Sequence, residues 1–567
     1  QAQVIGVQAY VFIDILLAVL PPLASMFTSC ASSLSCAGVA AAGVASLYWG
    51  MEYRQRQSIR GALLQKAESK RAERDNLRKQ ALESGLGWDS LVTWVSENVQ
   101  EGAQPPNAVV NTSAQELLAA MEAGTLSSEY IVRCFIARAI HVGEELGTNA
   151  EENFEEAIKE AKACDVERKA GNCRGPLHGL PVSVKDQFDQ RSFDSTLGLS
   201  ARCFRPKDKD GLLLSLVREQ GAIPFVRTNV PQCLMLPETF NAFWGTASNP
   251  HDLLRSTGGS SGGEGGLISA RGSPLGLGTD IGGSVRIPAS MCGIVGFKPT
   301  VGRLSDKGLS VARLNDVNGQ TVVRGSAGPM GRRVDDLALL MSAWCRKRAY
   351  EEDISIPRQP WDSGAYEAAK ASKRLRVGYY VNDGFFDPCA AAQRAVLETV
   401  AALRDAGHDV VEFPIDLKAA ALLYVSLLAA DGNMHGFVTG LEGEALHPYY
   451  SYLYKIANLP LAVRRIAMFA AKYILKQPRT AGLLEAGKKK SAREFWEVVG
   501  KRDTLKKQLL EQFREAKLDV LLSPALALPA IPHGTSVKLN QACSYTFVWN
   551  NFDFPAGVVP VTRVEAS

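Results

Sequence analysis

Apolar residues recur at intervals of two along short runs bounded by glycine and proline, and at intervals of three and four along longer stretches. The two periods alternate. Strands are predicted at residues 179–185, 221–227, 375–380, 519–522 and 557–561, and helices at 114–140, 151–169, 390–406 and 492–516. Such alternation predicts an α/β sandwich with a mixed central sheet. Ser113 followed by Glu116 reads as a helix capping box, which suits the sequon Asn111-Thr112-Ser113 better than glycosylation does.

Two stretches depart from this pattern. No charged residue occurs between Ile15 and Gly50, and residues 30–50 form an apolar run ending in Tyr48 and Trp49, followed by Arg54, Arg56 and Arg60. That run predicts a transmembrane helix with the downstream chain in the cytosol. A signal peptide with a cleavage site near Ser35 to Ala37 is the rival reading, disfavoured by the lack of charge ahead of the run. Residues 1–29 form an apolar extension that Asp14 and Pro21-Pro22 interrupt. Residues 51–105 read as a helical, solvated connector without a wide apolar stripe, and residues 106–567 as the main body. Within it, residues 451–480 interleave Leu453, Ile456, Leu459, Leu461, Val463, Ile466, Met468, Phe469, Tyr473, Ile474 and Leu475 with Lys455, Arg464, Arg465, Lys472 and Lys476 around Pro460. An apolar and basic hairpin predicts an interfacial membrane anchor, with a core helix flanked by solvated cations as the alternative.

Composition adds exclusions. The 567 residues, 46% hydrophobic, suffice for one large core or two smaller ones. A net charge of +4 without basic runs interleaved with aromatics speaks against nucleic-acid binding. The 11 cysteines show no CxxC spacing and the seven histidines no metal-ligand motif, so reduced thiols and no metal are expected.

Residues 257–300 carry the candidate chemistry. Their glycines suit sharp bends and close backbone approach, and make the stretch too glycine-rich for an ordinary core element. A serine after Ile281-Gly282-Gly283 can sit among unobstructed N–H groups of the kind that hold the oxyanion of acyl transfer. A phosphate-binding loop would need Gly-Lys followed by Ser or Thr, which is absent.

The run Gly258-Gly259-Ser260-Ser261-Gly262-Gly263, then Asp280-Ile281-Gly282-Gly283-Ser284-Val285-Arg286-Ile287-Pro288, preceded by Gly179-Leu180-Pro181-Val182-Ser183-Val184-Lys185-Asp186, resembles the amidase signature family over residues 106–567. The resemblance implies a twisted mixed sheet covered by helices, and a serine hydrolase without cofactor. It implies Ser284 as nucleophile, Ser260 as proton bridge after a cis peptide to Gly259, and Lys185 as terminal base. Backbone N–H groups of Ile281, Gly282, Gly283 and Ser284 would hold the oxyanion, Leu234 would line the substrate side, and Ser261, Thr279, Asp280 and Arg286 would support them. An ordinary lysine, with a pKa of about 10.4, cannot act as a base at neutral pH, so Lys185 must be neutral and Asp186 must point away.

With the N-terminal run and the hairpin, the chain is most similar to the membrane-bound members of that family, which implies lipid amide substrates such as N-acylethanolamines and primary fatty amides, the bilayer as partner and an endoplasmic-reticulum location. A homodimer is compatible with it. Met235 and Ala429 stand where aromatic channel residues are expected, leaving chain-length preference open, and a further strand and helix are expected after Ser567. A soluble amidase or amidotransferase subunit would share the two serines and the lysine but has no use for the apolar segments. A non-catalytic scaffold would be free to lose all three.

Overall fold

The computed structural model describes residues 36–99, 103–312, 320–372 and 374–565, the side chains from residue 58 onward. Its two larger sheets are built from β1 (Asn149–Glu152), β2 (Pro181–Lys185), β3 (Ile223–Thr228), β4 (Leu275–Asp280), β5 (Val295–Lys298), β6 (Ser326–Gly331), β7 (Arg376–Tyr379), β8 (Asp409–Glu412), β9 (Val520–Leu522) and β10 (Ala556–Val558). The seven-stranded sheet runs β1-β3-β2-β4-β6-β5-β10. β2 is parallel to β3 and β4, and the remaining pairs are antiparallel, so the sheet is mixed as predicted. A parallel pair needs a crossover, supplied between β2 and β3 by the helix Leu212–Glu219. The small sheet β8-β7-β9 is parallel throughout.

β2 and β3 are buried along their whole length; Val182, Val184, Ile223, Phe225 and Val226 supply apolar packing, while Ser183, Lys185, Arg227 and Thr228 are buried polar groups. Val182, Val184 and Phe225 pack with Tyr130 and Phe135 of the helix Ser128–Leu146 in the main core. A second core forms where Tyr424, Phe547 and Trp549 meet Phe413 and Leu526 beside the small sheet.

All five predicted strands are present, four of them with ends within two residues; the one expected at 557–561 is shorter, Ala556–Val558. The helix expected over 114–140 is two, Ala114–Glu122 and Ser128–Leu146, because Gly124 takes φ +72° and Ser127 caps a new start. The Ser113/Glu116 capping box forms. Residues 149–152, at the start of the helix expected over 151–169, pair as β1, and that helix begins at Phe154. Residues 257–300, expected to lie outside any ordinary core element, form β4, β5 and two helices, Gly262–Ser269 and Arg286–Cys292, nearly all buried. Glycine there serves close packing: a Cβ at Gly276 would lie 2.0 Å from Glu264 Oε2, and one at Gly263 2.4 Å from Asn229 N.

The stretch expected as a solvated connector is also corrected. Up to residue 81 it belongs to one helix, Cys36–Ala81, whose residues Ala67, Lys70, Arg74, Arg78 and Ala81 recur every three or four positions and dock on the body, and beyond it the helix Trp88–Asn98 packs on the main core through Leu91 and Trp94. Lys70 Nζ lies 2.6 Å from Glu151 and 3.0 Å from Asp194, Arg78 pairs with Glu152, and Arg74 sits 4.9 Å over the Trp244 ring. A docking face made of cations leaves no apolar stripe to read.

Among the described residues no helix is long and apolar enough to cross a membrane. Residues 1–29 and the first part of the expected 30–50 span lie outside the described residues; residues 36–50 open the long helix. The 451–480 segment does kink at Pro460, which caps Leu461–Phe469 after Ser451–Ala457. Leu461, Ile466, Phe469, Tyr473 and Ile474 are all exposed beside exposed Arg465, Lys472 and Lys476, while Arg464 is buried and donates to the Ala457 carbonyl at 2.8 Å. No disulfide forms among the described cysteines.

Candidate active site

β2 delivers Lys185 at its end, and parallel pairing sets it opposite Thr228 of β3. Its side chain is 0% exposed, its amine 2.8 Å from Ser260 Oγ and 2.7 Å from Thr279 Oγ1. The Thr279 hydroxyl donates to Gln187 Oε1 at 2.6 Å, so toward Lys185 it must accept. A neutral amine then has its lone pair left for the Ser260 hydroxyl. Burial lowers the Lys185 pKa to about 7, against the pull of the Asp280, Glu264 and Asp186 carboxyls. None of these forms an ion pair with Lys185. Asp186, which had to point away, accepts from Thr196 Oγ1 at 3.0 Å and from the Leu197 N–H at 2.6 Å.

Ser260 follows a cis peptide from Gly259, as the resemblance implied. Gly259 is pressed against the segment just after Leu234, since a Cβ there would lie 2.8 Å from Glu238 N and 2.9 Å from Leu236 O. Cys233, Leu234 and Leu236 all adopt positive φ, which turns this segment around the site. The Ser261 N–H donates to the Ser284 carbonyl at 3.1 Å, tying the two serine loops together. Ser261 Oγ reaches the Thr279 carbonyl at 3.3 Å.

Ser284 is 9% exposed, in the turn from β4 into Arg286–Cys292. Asp280 builds that turn. Its carboxylate accepts from the N–H groups of Gly283 (2.8 Å) and Val285 (3.2 Å) and takes Arg286 Nε and Nη2 at 3.0 Å each. Burial alone would raise the Asp280 pKa, but the guanidinium beside it holds the carboxyl well below the usual range. Gly283 therefore departs from its expected role, because its N–H is already committed to Asp280. The N–H groups of Ile281, Gly282 and Ser284 have no protein acceptor among the described residues. Between Ser260 and Ser284 the hydroxyls share no hydrogen bond here; Ser284 Oγ stays free to meet a carbonyl carbon.

Several supports were invisible to sequence reasoning. Tyr424 Oη donates to the Ile281 carbonyl at 3.2 Å and stacks on Phe547, while Thr546 Oγ1 lies 2.9 Å from the Gly282 carbonyl. Asn550 Nδ2 donates to Asp280 Oδ1 at 2.9 Å. Glu264 lies behind Lys185, accepting from Ser183 Oγ at 2.6 Å and Thr228 Oγ1 at 2.9 Å. Their signal was weak, since these partners lie 36 to 270 positions away along the chain. One cluster elsewhere, Cys164, Glu167 and His178, has metal-ligating groups within 4.8 Å of one another. Both Glu167 oxygens are held by Arg174 at 2.7 Å, and both His178 nitrogens are hydrogen-bonded, so it reads as a satisfied polar packing site.

Comparison with known proteins identifies the family. The amidase family profile matches residues 130–567. The chain is 38% identical to fatty-acid amide hydrolase 1 of Sus scrofa over 453 residues, covering 80% of this chain and 75% of that one. It is 31% identical to amidase 1 of Gibberella moniliformis, over 83% of this chain and 85% of that one. A solved structure of a fatty acid amide hydrolase superposes with a TM-score of 0.69 at 28% identity, covering 87% of this chain and 82% of that chain.

Proposed function

The chain belongs to the amidase signature family and is an amide hydrolase; from that premise we propose that it cleaves fatty-acid amides through an acyl-enzyme on Ser284. The observation that carries this reading is the fully buried Lys185 amine, without an ion-pair partner among the described residues, 2.8 Å from the hydroxyl of Ser260. Lys185 takes the Ser260 proton, Ser260 takes that of Ser284, and Ser284 Oγ bonds to the amide carbon. The oxyanion rests on the N–H groups of Ile281, Gly282 and Ser284. The proton returns through Ser260 to the nitrogen, the C–N bond breaks, and the amine leaves neutral. Water, deprotonated along the same path, then releases the acid and restores Ser284.

A long-chain substrate is favoured by two features. The relatives named fatty-acid amide hydrolase are similar over most of their length, and the exposed ridge of Leu461, Ile466, Phe469, Tyr473 and Ile474 with its neighbouring cations suits an anionic bilayer surface. A span over residues 30–50 would hold the catalytic body on the cytosolic face of an endomembrane. A small-amide reading is the alternative, since the relatives also include one named simply amidase 1.

The test is active-site labelling with a fluorophosphonate, competed by oleamide and by acetamide. Ser284→Ala should lose labelling and hydrolysis together, and oleamide should protect far better than acetamide. Labelling of Ser284→Ala at full yield overturns the nucleophile; equal protection overturns the lipid substrate.

A further inference from the structure

The mechanism above leaves one fully buried carboxyl unused. Glu264 lies on Gly262–Ser269, the helix that begins immediately after Ser260-Ser261. Its two oxygens are bracketed by hydroxyls from the strands that present Lys185. Ser183, which donates to Oε2 at 2.6 Å, stands two residues before Lys185 and so on the same face of β2. Thr228, which donates to Oε1 at 2.9 Å, is the register partner of Lys185 on β3. No cation pairs with it among the described residues. A Cβ at Gly276 would strike Glu264 Oε2, so glycine in β4 is what admits the carboxyl here.

We propose that Glu264 is a positioning residue for the reaction, acting on Lys185 through its charge from behind the two strands that present the lysine, without a direct contact, and thereby biasing the pH at which the lysine becomes available as a base. The two states of the pair, neutral amine with carboxylic acid and ammonium with carboxylate, hold the same number of protons. A carboxylate at this place favours the ammonium and withholds the base; the neutral acid releases it. Burial pushes the Glu264 pKa up to about 8 and the Lys185 pKa down to about 7, so both change state in the same range. The other charged groups near the pair are already bound. Asp280 is held by Arg286, and Asp186 by Thr196 and Leu197, with Arg227 at 3.9 Å.

This inference rests on the relay of Ser284, Ser260 and Lys185. It is tested by the pH dependence of kcat/KM, and independently by the rate of fluorophosphonate labelling against pH, in wild type, Glu264→Gln and Thr228→Val. Glu264→Gln keeps the shape and cannot ionise. Its acid limb should move toward lower pH by a fraction of a unit, because Glu264 is already largely the neutral acid where Lys185 titrates. Thr228→Val removes one donor that stabilises the carboxylate and should move the limb the same way by less, even where Glu264→Gln folds poorly. Limbs that coincide with wild type in both variants overturn the proposal and leave Glu264 a packing residue. Labelling that persists in Ser284→Ala would instead strike the relay, so the two failures are distinguishable.

Discussion

Lys70 and Lys185 are both lysines folded into the body, and they meet opposite surroundings. Lys70, on the long N-terminal helix, faces Glu151 at 2.6 Å and Asp194 at 3.0 Å. Burial works against its charge, but the two carboxylates overcome that and hold its pKa well above the ordinary value. Lys185 has only hydroxyls within hydrogen-bond reach, so burial prevails and its pKa falls to about 7. A charged lysine fastens a helix, whereas a neutral one can accept a proton. The difference lies in the partners and not in depth, which is why neither function can be assigned from burial alone.

Removing each amine should therefore injure a different property. Lys185→Ala should lower amide hydrolysis by roughly 10²-fold or more, and hydrolysis of a matched methyl ester less, because an alkoxide leaves with less help from a proton than an amine does. Equal losses on oleamide and methyl oleate would make Lys185 structural. Lys70→Ala takes the nearest cation from two buried carboxylates, leaving Glu151 with Arg227 at 3.6 Å and Asp194 with the N–H groups of Phe204 and Arg205, and should cost up to roughly 3 kcal/mol of stability in urea unfolding, with turnover of the folded fraction unchanged. A stable Lys70→Ala protein would mean that the helix docks without this pair.

The sequence reveals the site better than the helix. Lys185, Ser260 and Ser284 stand in short runs whose glycines and prolines are readable without knowing any distant contact. Lys70, Arg74 and Arg78 recur on one helical face, but a periodic row of cations looks like a solvated surface until Glu151, Glu152 and Asp194 are seen opposite. β4, Leu-Gly-Leu-Gly-Thr-Asp, hides for the reverse reason: it has strand geometry but glycines where strand formers are expected, because Glu264 and the neighbouring helices need the space. Tyr424, Thr546 and Asn550 brace the Ser284 turn from more than 140 positions away, a relation no local pattern carries.

The comparison also has a sign in the pH dependence of stability. Lys185 titrates at about 7 in the folded protein against an ordinary 10.5. Between those values the unfolded chain binds one more proton than the folded one, so this group's cost to stability is greatest below about 7 and vanishes above 10.5. Wild type should therefore gain on Lys185→Met by up to about 1.4 kcal/mol per pH unit across that window. Lys70, whose pKa is raised, contributes stability that persists through the same range and should show no such slope against Lys70→Met. Unfolding free energies of the three proteins at a series of pH values read both slopes. A flat difference for Lys185→Met would mean that the amine is charged in the fold and that its contrast with Lys70 is lost.

The smallest effect separates low pKa from catalytic position. Lys298, at the end of β5, is also buried, and burial together with Arg286 lowers its pKa to about 7. Its amine donates to the Pro299 carbonyl at 2.8 Å, and no hydroxyl of the site reaches it. It thus resembles Lys185 in depth and proton affinity and differs in having no Ser260 to serve. Lys298→Met removes a largely neutral amine above pH 7 and strands no carboxylate pair, so stability at pH 8 should change by no more than about 1 kcal/mol. The acid limb of kcat/KM should stay where wild type has it. If Lys298→Met moves that limb as far as Glu264→Gln does, then a buried low-pKa amine acts on the relay without touching Ser260, and the distinction drawn between partners and depth fails at this lysine.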